Sequence, residues 1–236
     1  MAEAKQARVL STEKLNEITC RVFCEMISPA ELGFTGGQYI IVNSKMILAS
    51  GKIGKRAYSI PSSDNDQKKI ELIVRRIHDG EGIGSKFIHD LKPGDIFEFS
   101  GPWGKYLPPQ NAENVLIVAT DTGITAALGL IRGKKFAAKA RMIWFVESEN
   151  YFLPFSTLPD WNFVIVPPAG QSLRMDVCKS EIEKVCDQKK FDQIYLSGDG
   201  RALAALKDML LAGGYEEEQI LMETFFNHLE RKASMV

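Results

Sequence analysis

Arg56-Ala57-Tyr58-Ser59-Ile60-Pro61-Ser62-Ser63 lies between two strand-like segments and gathers several kinds of chemistry into one short stretch. Arg56 is a planar five-donor cation suited to a phosphate. Tyr58 offers a flat apolar face with a polar tip, suited to an aromatic ring system. Ser59 can donate or accept a hydrogen bond at a ring edge or a ribose-like chain, and Pro61 stiffens the exit and removes a backbone donor. In an extended segment Arg56, Tyr58 and Ile60 share one face and Ser59 takes the other. A bend here turns Tyr58 and Ser59 toward one ligand. The same residues also suit an ordinary edge strand with a surface arginine, so the flanking sequence has to decide.

Working outward, residues 7–28 alternate well enough for two strands around a turn. Gly36-Gly37-Gln38 introduces the apolar strand Tyr39-Ile40-Ile41-Val42, and residues 45–54 read as a weakly patterned loop. After the central stretch come a strand over 70–76, the turn Lys92-Pro93-Gly94-Asp95, the strand Ile96–Phe99 and a closing Gly101-Pro102-Trp103-Gly104. Short strands at this spacing predict a small antiparallel β-barrel. Before its last strand stands Asp79-Gly80-Glu81-Gly82-Ile83-Gly84-Ser85, whose glycines let the backbone approach a ligand. Ser85 is expected to open a short helix, and the amides of a helix start suit an anion. A capped helix after a flexible hairpin would look the same. His78 and His89 are expected on surfaces rather than as ligands.

The second half changes period. Asn114-Val115-Leu116-Ile117-Val118-Ala119 is an apolar run of the kind buried on both faces of a parallel sheet. Thr120-Asp121-Thr122-Gly123 leads from it into a helix beginning at Ile124. Strands are expected at 140–146, 162–166, 193–196 and 219–226, with helices over 175–188 and 201–213. This alternation predicts an α/β doubly wound parallel sheet, with the loops 119–123 and 197–200 bordering a ligand crevice. The proline-bearing stretch 106–113 separates the halves, giving domains 1–106 and 107–236.

A chain of 236 residues accommodates two domains of about 100 to 130 residues each. A net charge of −1 gives no sign of a nucleic-acid partner, and no apolar run approaches the roughly 18 residues of a membrane span. The start at Met1 lacks a secretory apolar core, so a cytoplasmic location is expected. Cys20, Cys24, Cys178 and Cys186 match no zinc or iron–sulfur spacing and read as buried reduced thiols.

Taken in order, Gly37-Gln38-Tyr39, Arg56-Ala57-Tyr58-Ser59, Gly82-Ile83-Gly84-Ser85, Gly101-Pro102-Trp103-Gly104, Thr122-Gly123-Ile124, Gly198 and Glu223-Thr224-Phe225-Phe226 resemble the ferredoxin–NADP reductase superfamily over nearly the whole chain. The resemblance implies an N-terminal flavin barrel binding FAD and a C-terminal domain binding NAD(P)H. It assigns Arg56 to the flavin diphosphate, Tyr58 to the isoalloxazine and ribityl region, and Ser59 to the flavin N5 edge. The Gly82–Ser85 loop (Gly82, Ile83, Gly84, Ser85) goes to the diphosphate, with the Val74 backbone nearby. Thr122, Gly123, Gly198, Asp199 and Phe225 fall among the cofactor-binding residues, and Glu223 joins Tyr58 and Ser59 as catalytic. The activity implied is electron transfer from NAD(P)H to a one-electron carrier such as ferredoxin, flavodoxin or another redox protein.

The departures from the family fall in the second half. Ala119, Thr120 and Asp121 stand where consecutive glycines are usual, Ala126 where proline is usual, and Ser197-Gly198-Asp199 where Cys-Gly-Pro is familiar. Glu147-Ser148-Glu149 offers no cation for a ribose 2′-phosphate, which favours NADH over NADPH, although Arg174 or Arg201 could supply one. Asp121 puts a carboxylate at the expected pyrophosphate site, where it would repel the ligand unless it turns away and caps the helix. The alternative is therefore an FAD-binding subunit with an impaired dinucleotide site.

Overall fold

The computed structural model describes residues 4–48, 51–77, 82–158, 160–168 and 172–226. His78 and the Asp79–Glu81 part of the glycine-rich loop lie outside them. The chain divides into two compact units, Met1–Pro108 with Leu128–Phe136, and Pro109–Ala127 with Ala137–Val236.

In the first unit six antiparallel strands form one sheet: β1 (Lys5–Lys14), β2 (Thr19–Ser28), β3 (Tyr39–Ile47), β4 (Ile53–Ser59), β5 (Lys69–Arg75) and β6 (Ile96–Trp103), in the order β4-β3-β6-β1-β2-β5. The sheet curls until the edge strands β4 and β5 come together. Alternation explains the inner face: Val22 and Cys24 on β2, Ile40 and Val42 on β3, and Phe97 and Phe99 on β6 are all buried in one apolar core. Burying each such side chain is worth about 1.5–3 kcal/mol. Residues 45–47 and 53–54, expected in a weakly patterned loop, belong to β3 and β4, with Ile47 opposite Ile53. A short helix, α1 (Ile83–Asp90), precedes β6. It begins at Ile83 with Gly82 at the cap, not at Ser85. The Ser85 hydroxyl is turned inward, donating to the Gly82 carbonyl at 2.9 Å and accepting from the Ile77 amide at 3.0 Å.

The second unit is a five-stranded parallel sheet: β7 (Asn114–Thr120), β8 (Lys139–Val146), β9 (Asn162–Ile165), β10 (Gln193–Asp199) and β11 (Ile220–Phe226), in the order β11-β10-β7-β8-β9. The helices α3 (Ser172–Gln188) and α4 (Gly200–Ala212) belong to this unit, whereas α2 (Ile124–Arg132) begins in it and from Leu128 onward counts with the first. Leu116 and Val118 of β7 pack in one core with Ile182 of α3 and Leu203 and Leu206 of α4. Val115, Ile117 and Ala119 of β7 are buried too, as the continuous apolar run requires. Strand order reverses between β7 and β10, so the ends of these two strands form the switch point where open α/β sheets bind ligands.

Candidate functional sites in the two units

In the first unit the central stretch becomes β4. Its register sets Tyr58 opposite Ile40 and Arg56 opposite Val42, so both project from the face that carries the core. Tyr58 is half-buried and packs against that core, while Arg56, farther along, is exposed. Burial raises the Tyr58 phenol, which stays neutral. Ser59 lies on the other face and is 5% exposed.

Gly84 joins the central stretch to the glycine-rich helix start. A Cβ there would stand 2.4 Å from Arg56 Cγ and 3.0 Å from the Tyr58 hydroxyl. Only glycine therefore allows the first turn of α1 to lie against Arg56 and Tyr58. Among the described residues the Gly82 cap makes no side-chain hydrogen bond and the first turn carries no acidic residue, and amides at the positive end of a helix dipole suit an anion. Among the described residues no carboxylate pairs with Arg56, whose Nη1 donates only to the Lys55 carbonyl at 2.9 Å. The carbonyl of Val74, by contrast, is bonded to His89 Nε2 at 2.9 Å. This gives His89 a positioning contact that the surface reading missed.

In the second unit the remaining residues converge on the switch point. Thr122 and Gly123 lie in a single 3-10 turn, 121–123, between β7 and α2. A Cβ on Gly123 would stand 2.3 Å from the Ser197 carbonyl, so this turn lies directly against the end of β10. Ser197, Gly198 and Asp199 still belong to β10, Ser197 pairing with Glu223 and Gly198 with Thr224 on β11. Asp199 is tied at both ends: its amide donates to Thr120 Oγ1 at 2.8 Å and its carboxylate caps α4 by accepting from Arg201 N at 2.8 Å. Phe225 is half-buried near the end of β11. Glu223 is also half-buried, and burial pushes its carboxyl up to about 7.

The Glu223 shift carries a sign. A carboxyl raised in the folded state contributes stability below its ordinary value of 4.5 and loses it as pH rises through about 7. Over that window the melting temperature of Glu223→Gln is expected to rise relative to wild type. Parallel curves for the two proteins would contradict the shift.

Asp121 is neither a cap nor an exposed carboxylate. It is 1% exposed with φ +49°, and its Oδ2 lies 2.5 Å from Nη2 of Arg174, itself 3% exposed. Arg174 also donates to the Pro167 carbonyl at 3.1 Å and stands 3.5 Å from Glu147. The Asp121 carbonyl accepts from Trp144 Nε1 at 2.8 Å. The expected repulsive charge is thus already paired, and Arg174 is not available to a 2′-phosphate. Arg201 remains exposed on the first turn of α4. The partnership escaped sequence reading because its members are 53 positions apart and because the helix was expected to begin at 175, beyond Arg174.

The architecture is thus an antiparallel six-stranded sheet with a glycine-rich helix start, followed by a parallel five-stranded sheet with a switch point between β7 and β10. Residues 6–107 match the family described as oxidoreductase FAD-binding domain. Ferredoxin–NADP reductase B of Sorangium cellulosum is 31% identical over 151 residues, covering 64% of this chain and 60% of the relative. The leaf isozyme 1 of chloroplastic ferredoxin–NADP reductase from Arabidopsis thaliana is 33% identical over 174 residues, covering 69% and 46%. The chain thus spans roughly half to three-fifths of the length of these relatives. A ferredoxin–NADP+ reductase from Neisseria gonorrhoeae, solved with bound FAD and NADP, shares the fold with a TM-score of 0.75 at 19% identity, covering 96% of this chain and all (100%) of the other. Residues 6–107 thus match the oxidoreductase FAD-binding domain family, and over about two thirds of its length the chain is similar to ferredoxin–NADP reductases.

Proposed function

We propose that this chain binds FAD in its first unit and NAD(P)H in its second, and passes electrons to a one-electron carrier. The observation that carries the reading is the seating of the α1 start against Arg56 and Tyr58 through Gly84. It makes one anion-and-aromatic site out of two separate motifs. Arg56 and the first-turn amides of α1 hold the diphosphate, Tyr58 packs along the ring and ribityl chain, and the Val74 backbone lies nearby. Bound FAD would supply the conversion of a two-electron hydride delivery into single-electron steps.

Ser59 offers the hydroxyl for the N5 edge. Thr122 and Gly123 present backbone to the dinucleotide pyrophosphate, with Gly198 and Asp199 shaping the opposite wall and Phe225 the β11 side. Glu223, poised near neutrality, holds or releases a proton there. Glu147 and Glu149 beyond β8, together with the sequestration of Arg174, support NADH over NADPH. The partner is a separate redox protein such as ferredoxin or flavodoxin. All four cysteines are unpaired to one another, which supports a reducing, cytoplasmic setting. No helix among the described residues is long and apolar enough to cross a membrane.

The purified protein is expected to be yellow and to release FAD rather than FMN on denaturation. A colourless protein that FAD cannot reconstitute would overturn the reading. In a variant with full flavin content, Ser59→Ala is expected to slow flavin reduction by about two- to tenfold, the worth of one neutral hydrogen bond. Stopped-flow traces identical to wild type would remove Ser59 from the site.

A further inference from the structure

We propose that Arg174 is a charge-cancelling residue for the dinucleotide site: it neutralises Asp121 and so makes an aspartate tolerable at a loop that must receive a pyrophosphate. The inference rests on the reading of the 121–123 turn as the pyrophosphate loop.

Asp121 occupies the last position before Thr122 and Gly123 and starts the turn that feeds α2. A bare carboxylate there would oppose both the helix dipole and an incoming diphosphate. Arg174 reaches it from α3, is nearly excluded from water, and meets it at 2.5 Å. The arginine is fixed on its other side by the Pro167 carbonyl at 3.1 Å and by Glu147 at 3.5 Å. The guanidinium is therefore held by the end of β8 and the loop after β9, independently of any ligand. In low-dielectric surroundings a pair of this kind acts on a nearby anion as a dipole rather than as a net charge. Removing Arg174 bares the Asp121 carboxylate, and removing Asp121 leaves Arg174 with Glu147 as its remaining counter-charge, so the two removals shift the local charge in opposite directions.

That opposition separates charge cancellation from a structural role. The test is equilibrium binding of ADP-ribose, which carries the pyrophosphate but cannot reduce flavin, to purified holoprotein, with melting curves recorded in parallel. Arg174→Gln, which exposes the Asp121 charge, is expected to bind about tenfold more weakly. Asp121→Asn, which leaves Arg174 opposed only by the longer Glu147 contact at 3.5 Å, is expected to bind more tightly, by up to about tenfold, and with a steeper salt dependence. Arg174→Lys should recover most of the loss. The double variant Asp121→Asn/Arg174→Gln, which removes both members of the pair, should fall within about threefold of wild type, and it keeps the test open if a single variant does not fold.

Equal shifts in the same direction, or none, would overturn charge cancellation while leaving the site reading intact. Binding that appears only in Asp121→Asn would also overturn it, because the wild-type pair would then not be neutral to the ligand. Failure of the wild type and every variant to bind would sink the site reading, and the inference with it.

Discussion

Replacing Asp121 with glycine, the residue usual at this position in the family, is expected to destabilise the protein by about 2–4 kcal/mol. Two effects compete. Glycine relieves the cost of φ +49° at a non-glycine residue, about 1 kcal/mol for an aspartate that tolerates this region. Against that, Arg174 loses the partner 2.5 Å away while remaining buried. Breaking a buried pair by removing one member costs about 3–5 kcal/mol, because a charge is left uncompensated. Glu147 at 3.5 Å offsets only part of this, being the longer contact and itself 24% exposed at the side chain. The second effect wins. The double variant Asp121→Gly/Arg174→Leu should recover most of the loss, and chemical denaturation of the three variants beside wild type measures the coupling. An Asp121→Gly protein as stable as wild type would show that the pair does not hold the loop.

The second large effect concerns flavin retention. Arg56→Ala removes a charge-assisted contact to the diphosphate worth about 1.5–3 kcal/mol, so FAD should bind about 10- to 100-fold more weakly. Gly84→Ala is expected to do comparable damage with Arg56 still present. Its Cβ would need the place now taken by Arg56 Cγ, 2.4 Å away, and would press on the Tyr58 hydroxyl at 3.0 Å. Because both changes strike one cluster, the double variant should lose less than the sum of the two. Equilibrium dialysis of FAD against the apoproteins reads the result. Retention of wild-type affinity in Gly84→Ala would mean that the helix start does not position Arg56 for a ligand.

These residues differ in how plainly the sequence announces them. The run Val115–Ala119 could be read as a doubly covered parallel strand because burial on both faces leaves a continuous apolar signature. The alternation around Val22 and Cys24 marked a half-buried antiparallel strand for the same reason in reverse. Gly84 was recognisable as a glycine of a ligand loop, but nothing local says that its missing side chain makes room for Arg56. Ser85 looked like a helix start because serine favours that position, yet its hydroxyl is drawn inward to the Ile77 amide by a contact between segments. Ser197–Asp199 were expected beyond the strand end. They remain in β10 because Gly198 accepts φ +129° and Asp199 is tied to Thr120. Asp121 misled most, since a charge was visible and its partner on a distant helix was not.

Anaerobic titration of the yellow holoprotein with NADH, and separately with NADPH, tests most directly that one chain joins a flavin site to a working dinucleotide site. With Asp121 neutralised in advance, micromolar NADH is expected to bleach the visible flavin band stoichiometrically, and NADPH to do so less readily. Addition of an oxidised one-electron acceptor should then restore the band. A holoprotein whose flavin stays oxidised under excess NADH and NADPH, yet is reduced readily by dithionite, would contradict the account.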